Sequence, residues 1–149
     1  QPLNPALFKT ISSKVNIPLA TGERSYTRWG FRQFFEDRSL SIIQPDICNT
    51  GGFTEAKKIC DMAHTYDMGV QLHVCGGPIA TAALQLEAGN PNLVIHEHHV
   101  GAIQPGCTNT CLYDYEPVNG KFKVPELPGI GQELTPEEMK RCKTSKVGE

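Results

Sequence analysis

The chain's 149 residues amount to about one domain, and 39% hydrophobic with 20% charged residues is ordinary globular composition, which excludes disordered and collagen-like structure. Fourteen Lys and Arg against sixteen Asp and Glu leave a formal net charge of -2, so no electrostatic pull toward nucleic acid or an anionic membrane is expected. A small molecule or a protein is the default partner.

No apolar run approaches the roughly 20 residues of a membrane span, and residues 1–5 lack a signal-peptide layout. A cytoplasmic chain is therefore expected. Its cysteines, Cys48, Cys60, Cys75, Cys107, Cys111 and Cys142, are read as thiols, because a chain of this length can build a core without disulfides. No Met precedes Gln1, which suggests a piece of a longer polypeptide.

The first predicted element is a helix over residues 5–14, with Leu7, Phe8 and Ile11 on one face. Four short apolar segments follow, at 17–23, 40–46, 69–73 and 93–97, each stopping at a polar or ionisable residue. Helical periodicity fills the gaps between them. Trp29, Phe31, Phe34 and Phe35 mark one helix and are expected to pack between helix and sheet; Ala56, Ile59, Cys60, Ala63 and His64 mark the second; Ile79, Ala82, Ala83 and Leu86 mark the third. A strand, a helix and two loops per repeat of about 25 residues make a βα array with a parallel sheet. From Cys107 the pattern changes. Residues 112–116 and 121–124 flank an Asn119-Gly120 hairpin signal, residues 127–131 form a rigid loop, and Thr135-Pro136-Glu137-Glu138 caps a final short helix.

In parallel βα folds the ligand site forms at the carboxyl ends of the strands. Here those ends are Glu23, Asp46, His73 and Glu97. Each acid taken alone has a structural reading, as a cap for the next helix. Together, three carboxylates and an imidazole around one mouth suit proton abstraction next to a carboxylate, in which a hard divalent cation stabilises the enediolate. Glu23 is then a metal ligand. Asp46 beside His73 holds the imidazole tautomer and raises its basicity, making His73 the base, and Glu97 faces the substrate carboxylate from the far side. Arg24 and Arg28 follow Glu23 on a loop, where a surface role competes with Arg24 reaching a substrate carboxylate.

At these residues the sequence resembles the enolase superfamily, in its mandelate racemase/muconate lactonizing branch, and most of all its acid-sugar dehydratases of the galactonate or gluconate kind. The motifs are IPLATGER at 17–24 with Arg28-Trp29, QPD at 44–46 with Gly51-Gly52, Leu72-His73, IHE at 95–97 and LPGIG at 127–131. The resemblance implies a Mg2+-dependent lyase that removes the proton alpha to a carboxylate and eliminates the beta-hydroxyl of a sugar acid. It implies Glu23 as the third Mg2+ carboxylate, Asp46 and His73 as the general-base dyad, and Glu97 as a catalytic and substrate-binding residue. The implied fold is α/β: residues 1–106 as the C-terminal half of a (β/α)7β TIM-like barrel, and 107–149 as the C-terminal segment of an α+β capping domain. Two further metal carboxylates and a second acid, expected on earlier strands, have no counterpart in this chain, so on its own it is expected to bind Mg2+ weakly and to be inactive.

Other readings compete. A racemase, epimerase or cycloisomerase shares the enediolate step. A non-catalytic half barrel could bind an anion on the backbone of Gly51-Gly52 and Gly76-Gly77. His96, Glu97, His98 and His99 with Cys107 and Cys111 suggest zinc, although strand alternation sends His96 and His98 to one face and Glu97 and His99 to the other. A half barrel leaves two sheet edges unpaired, so a homo-oligomer is expected. Sedimentation of the isolated chain at high concentration is expected to show self-association; a clean monomer contradicts it.

Overall fold

The computed structural model describes residues 3–99, 110–113, 115–146 and 148. The elements alternate as α1 (Pro5–Ser12), β1 (Ala20–Thr21), α2 (Thr27–Asp37), β2 (Ile42–Ile43), α3 (Ile47–Thr50), α4 (Phe53–Thr65), β3 (Gly69–Val70), α5 (Pro78–Ala88) and α6 (Pro136–Arg141). The sheet is parallel in the order β1-β2-β3, and a Val70–Leu93 parallel bridge adds a fourth segment beside β3. Sequential parallel neighbours joined by helices form one arc of an α/β barrel. No helix among the described residues is long and apolar enough to cross a membrane.

The ladders are shorter than the apolar segments that announce them. Pro45 has no N–H to donate, so β2 stops at Ile43 and pairing resumes as the single bridge Asp46–His73. Between these points Gln71 N–H donates to Ile43 O (3.0 Å) and His73 N–H to Pro45 O (3.1 Å), so the register persists. It is a constant offset of 27 residues: Ile42 with Gly69, Ile43 with Val70, Asp46 with His73.

Alternation then sorts the side chains. Ile43, Val70, Leu72 and Val74 are fully buried in the core with the helices. Their neighbours in sequence turn to the other face, where Gln44 Nε2 donates to Gln71 Oε1 (2.9 Å) and Asp46 meets His73 one step further along. The helices supply Phe31, Phe34 and Phe35 from α2 and Ala56, Ile59, Cys60 and Ala63 from α4. Phe8 of α1 packs edge-on against Phe34 at 5.7 Å, and Tyr66 stacks on Phe35 at 5.5 Å.

Trp29 departs from expectation: it is 71% exposed. At about 100° per residue it lies about 200° round the helix from Phe31, so it cannot share the face of Phe31, Phe34 and Phe35. Arg28, next to it, leaves the mouth and forms a two-pronged pair with Glu55 of α4, Nε to Oε1 and Nη2 to Oε2, both 2.9 Å. The Arg28 side chain, then its backbone N–H, hold the Glu55 carboxyl below its ordinary range.

The C-terminal region packs on α5, where Gln85 Nε2 donates to Pro125 O (2.8 Å). The same cover reaches Thr81 of α5, whose Oγ1 accepts from Gln132 Nε2 at 3.5 Å. The expected hairpin is reduced to one bridge, Val118–Lys121, across Asn119 (φ 52) and Gly120 (φ 73). Its flanks pair elsewhere: Cys111 bridges Leu134, and Leu112 N–H donates to Glu133 O (2.9 Å). The final helix α6 begins as expected, with Thr135 Oγ1 accepting from Glu138 N–H at 3.3 Å. The boundary expected between residues 106 and 107 lies outside the described residues, as does Cys107.

Gly22, just before Glu23, has φ 150, and a Cβ there would meet Phe31 Cε1 at 2.7 Å and Gln44 backbone at 2.9 Å. Gly22→Ala is expected to destabilise by about 2 kcal/mol or more, read as a lower urea midpoint at unchanged m-value. An unchanged midpoint contradicts this close approach.

Candidate active site at the strand tips

Three of the four strand-end residues meet in a row. His73 Nδ1 lies 2.7 Å from Asp46 Oδ2, and His73 Nε2 lies 3.1 Å from Glu23 Oε2. The Asp46–His73 contact arises from the register, because the two residues are paired on neighbouring parallel strands, and Glu23 reaches the same imidazole from the strand beyond.

Asp46 caps a helix and meets His73 at the same time. Its Oδ1 accepts from Cys48 N–H (2.7 Å) and Asn49 N–H (3.0 Å), capping α3, while its Oδ2 takes the imidazole. The four-residue α3 is too short to show periodicity and was not expected from the sequence. Once formed, it fixes the carboxylate by two backbone donors before His73 is considered. Asn49 Nδ2 also donates to Glu23 O (2.9 Å), tying the first strand tip to the second. With Asp46 accepting from Nδ1–H, the ring lone pair falls on Nε2, on the Glu23 side.

Glu97 sits across the mouth, where its Oε2 accepts from Val74 N–H at 3.2 Å. It therefore braces the third strand tip from the fourth. Arg24 pairs with Glu23 Oε1 at 3.2 Å and its side chain is 70% exposed. The structure thus joins Glu23, Asp46 and His73 directly, places Glu97 one peptide beyond His73, and leaves Arg24 on the rim.

Sequence reasoning missed two residues. Cys75 Sγ lies 3.8 Å from His73 Nε2 and 4.0 Å from Nδ1. Burial, followed by the charges of Asp46, Glu97 and Glu23, pushes its thiol up. Glu87, on α5, is 2% exposed; its Oε1 accepts from Leu72 N–H (3.2 Å) and its Oε2 lies 2.6 Å from His96 Nδ1. Leu72 precedes His73 and His96 precedes Glu97, so one buried carboxylate holds the backs of two strand tips. Its only trace in the sequence is an acid inside an otherwise apolar helix.

The histidine run does not assemble as zinc ligands among the described residues. His96 and His98 share a face as alternation requires, both against the Phe122 ring at 4.7 and 5.3 Å. Each has its own carboxylate, Glu87 for His96 and Glu116 for His98 (3.2 Å). The anion-binding reading loses its first glycine pair, because the Gly51 and Gly52 N–H groups both donate to Ile47 O, ending α3.

A hard divalent cation takes about six oxygen ligands. Asp46 has both oxygens engaged by part-buried or backbone partners and Glu97 holds Val74, whereas the half-exposed Glu23 meets the exposed Arg24 side chain and the outer nitrogen of His73. The described residues fit one ligand of such a site and do not make a whole one.

Removing the Glu87 carboxylate strands two buried donors. Glu87→Ala is expected to cost about 2 to 4 kcal/mol in chemical denaturation, and Glu87→Gln less, since its amide oxygen still accepts from Leu72. Equal stability of wild type and Glu87→Ala contradicts the clamp.

Known proteins with this fold and sequence can now be compared. A family model described as Enolase C-terminal domain-like matches residues 1–139. A member of the enolase superfamily from Salmonella typhimurium is 61% identical, with a TM-score of 0.89 over 95% of this chain and 36% of that one. A protein from Zymomonas mobilis ZM4, provisionally named a dehydratase, is 51% identical with a TM-score of 0.90 over 94% of this chain and 36% of that one. A protein from Labrenzia alexandrii DFL-11, provisionally named a mandelate racemase/muconate lactonizing enzyme, is 28% identical with a TM-score of 0.85 over 95% of this chain and 36% of that one. The chain spans little more than a third of the length of these proteins. With the parallel arc and the row of strand-end residues, the match over nearly its whole length makes this chain a member of the enolase C-terminal-domain-like family.

Proposed function

We propose that the protein carrying this chain is a Mg2+-dependent acid-sugar dehydratase, a lyase whose proton-abstracting dyad is His73 and Asp46. The observation that carries the reading is the 2.7 Å contact between His73 Nδ1 and Asp46 Oδ2, on a carboxylate already fixed by two backbone N–H groups. Relatives provisionally named dehydratases are 42% to 51% identical, above the 28% of the relative named for racemisation, which favours elimination.

In this reading the C–H bond alpha to the substrate carboxylate breaks and its proton passes to His73 Nε2. Asp46 keeps the ring in the tautomer that leaves Nε2 free, and stabilises the charge the ring acquires. Glu97 and Arg24 face the substrate carboxylate, Glu97 as hydrogen-bond donor when protonated. Glu23 supplies one carboxylate to Mg2+, and the ion when bound stabilises developing negative charge on the substrate oxygens. The beta-hydroxyl then leaves as water, with its proton from an acid assigned to residues beyond these 149.

Asn caps a helix as well as Asp does, so Asp46→Asn keeps α3 while disturbing the dyad. With galactonate or gluconate as substrate and the protein in D2O, wild type is expected to lose one water from the substrate. Asp46→Asn and His73→Asn are expected to lower kcat by about 100-fold or more with KM held within a few-fold. Deuterium incorporation without water loss assigns the dyad to racemisation or epimerisation; unchanged turnover in both variants overturns the dyad.

A further inference from the structure

The N–H groups of the third strand alternate between its two neighbours. Gly69, Gln71 and His73 donate to Ser41, Ile43 and Pro45 O on the β2 side, at 2.9, 3.0 and 3.1 Å. On the other side Val70 donates to Asn92 O and Val94 N–H returns to Val70 O, both at 2.9 Å. An unbroken parallel ladder would next carry Leu72 N–H to the carbonyl of Val94, and Val74 N–H to that of His96. Leu72 instead donates to Glu87 Oε1 and Val74 to Glu97 Oε2, both at 3.2 Å. At the level of the dyad, carboxylates have taken the place of the ladder.

That replacement leaves the spacing of the third and fourth strand tips to Glu87. Its side chain is 2% exposed on α5, and its second oxygen lies 2.6 Å from Nδ1 of His96, a side chain 8% exposed. Leu72 and His96 stand immediately before His73 and Glu97 in the chain, so a shift of this one carboxylate moves both tips. Hydrogen bonds to a carboxylate in a place that water does not reach are short and stiff.

We propose that Glu87 is a positioning residue for proton abstraction: through the Leu72 peptide and through His96 it sets where His73 and Glu97 stand relative to each other. The role rests on the dyad proposed above and asks more of Glu87 than stability. Proton transfer from carbon depends steeply on the placement of the base, and a misplacement of about 1 Å costs about 100-fold in rate. Glu87→Gln separates the two roles. Its amide oxygen still accepts from Leu72 N–H, but its NH2 group meets Nδ1–H of His96, and the tip that carries Glu97 loses its partner.

The test compares variants of the full protein, with galactonate or gluconate deuterated at the carbon alpha to the carboxylate. Per folded molecule, Glu87→Gln is expected to lower kcat by about tenfold with KM held within about twofold. The primary isotope effect on kcat is expected to grow, because C–H cleavage has slowed relative to the other steps. An acid that served stability alone would change the folded fraction and leave both quantities as they were. His96→Leu, which removes the donor to Glu87, is expected to fall as far as Glu87→Gln, and His96→Gln, which restores a donor, to recover to within about threefold of wild type. The downfield proton resonance of His73 Nδ1–H reads the dyad without turnover and is expected to shift in Glu87→Gln. Unchanged kcat per folded molecule in Glu87→Gln overturns the role, as do equal losses in His96→Leu and His96→Gln. A shifted resonance in a protein that acts on no sugar acid keeps the positioning and loses the proposed function; dehydration through the dyad that is indifferent to Glu87→Gln does the reverse.

Discussion

The site depends on a register. Adjacent parallel strands pair with an offset of 27 residues from Ile42–Gly69 to Asp46–His73. A slip of one residue would exchange the two faces of the sheet, sending Asp46 or His73 into the helix-packed core and Ile43 or Val70 toward the mouth. The hydrophobic burial of Ile43, Val70, Leu72 and Val74 opposes that slip. Core packing therefore fixes where the carboxylate and imidazole meet.

This dependence explains what the sequence made legible. Strand tips could be read because apolar runs end abruptly, and the tip residues then had to share a mouth. Ladder extent could not, because Pro45 satisfies the apolar pattern while withholding a donor. Trp29 lies outside the core for a reason of angle, because a residue about 200° round the helix from Phe31 cannot reach it whatever its size. The hairpin signal at Asn119-Gly120 holds at the turn, where both residues have positive φ, and lapses one step out, where Cys111 pairs with Leu134 instead. Partners across long sequence separations, such as Glu87 with Leu72 and His96, leave no local pattern to read.

Asp46 shows why capping a helix and holding an imidazole are not rival roles for a strand-end acid. A cap on a four-residue helix contributes about 1 kcal/mol, too little to account for a fixed carboxylate by stability alone. Its larger effect is geometric. Two N–H groups hold Oδ1, so Oδ2 has one direction left, and that direction is occupied by His73.

The same reasoning ranks the acids at the mouth. Carboxylates gathered on one sheet edge repel one another unless each is offset. Asp46 is offset by two backbone donors and an imidazole, and its side chain is 8% exposed. Glu97 is offset by Val74 N–H. Glu23 faces the lone-pair nitrogen of His73 and is offset only by an Arg24 side chain that is itself 70% exposed, a pairing that water largely screens. A cation arriving at the mouth therefore gains most beside Glu23, where the carboxylate is least neutralised by the fold. That is the position from which an oxygen-seeking ion would be held, with its remaining ligands supplied from elsewhere.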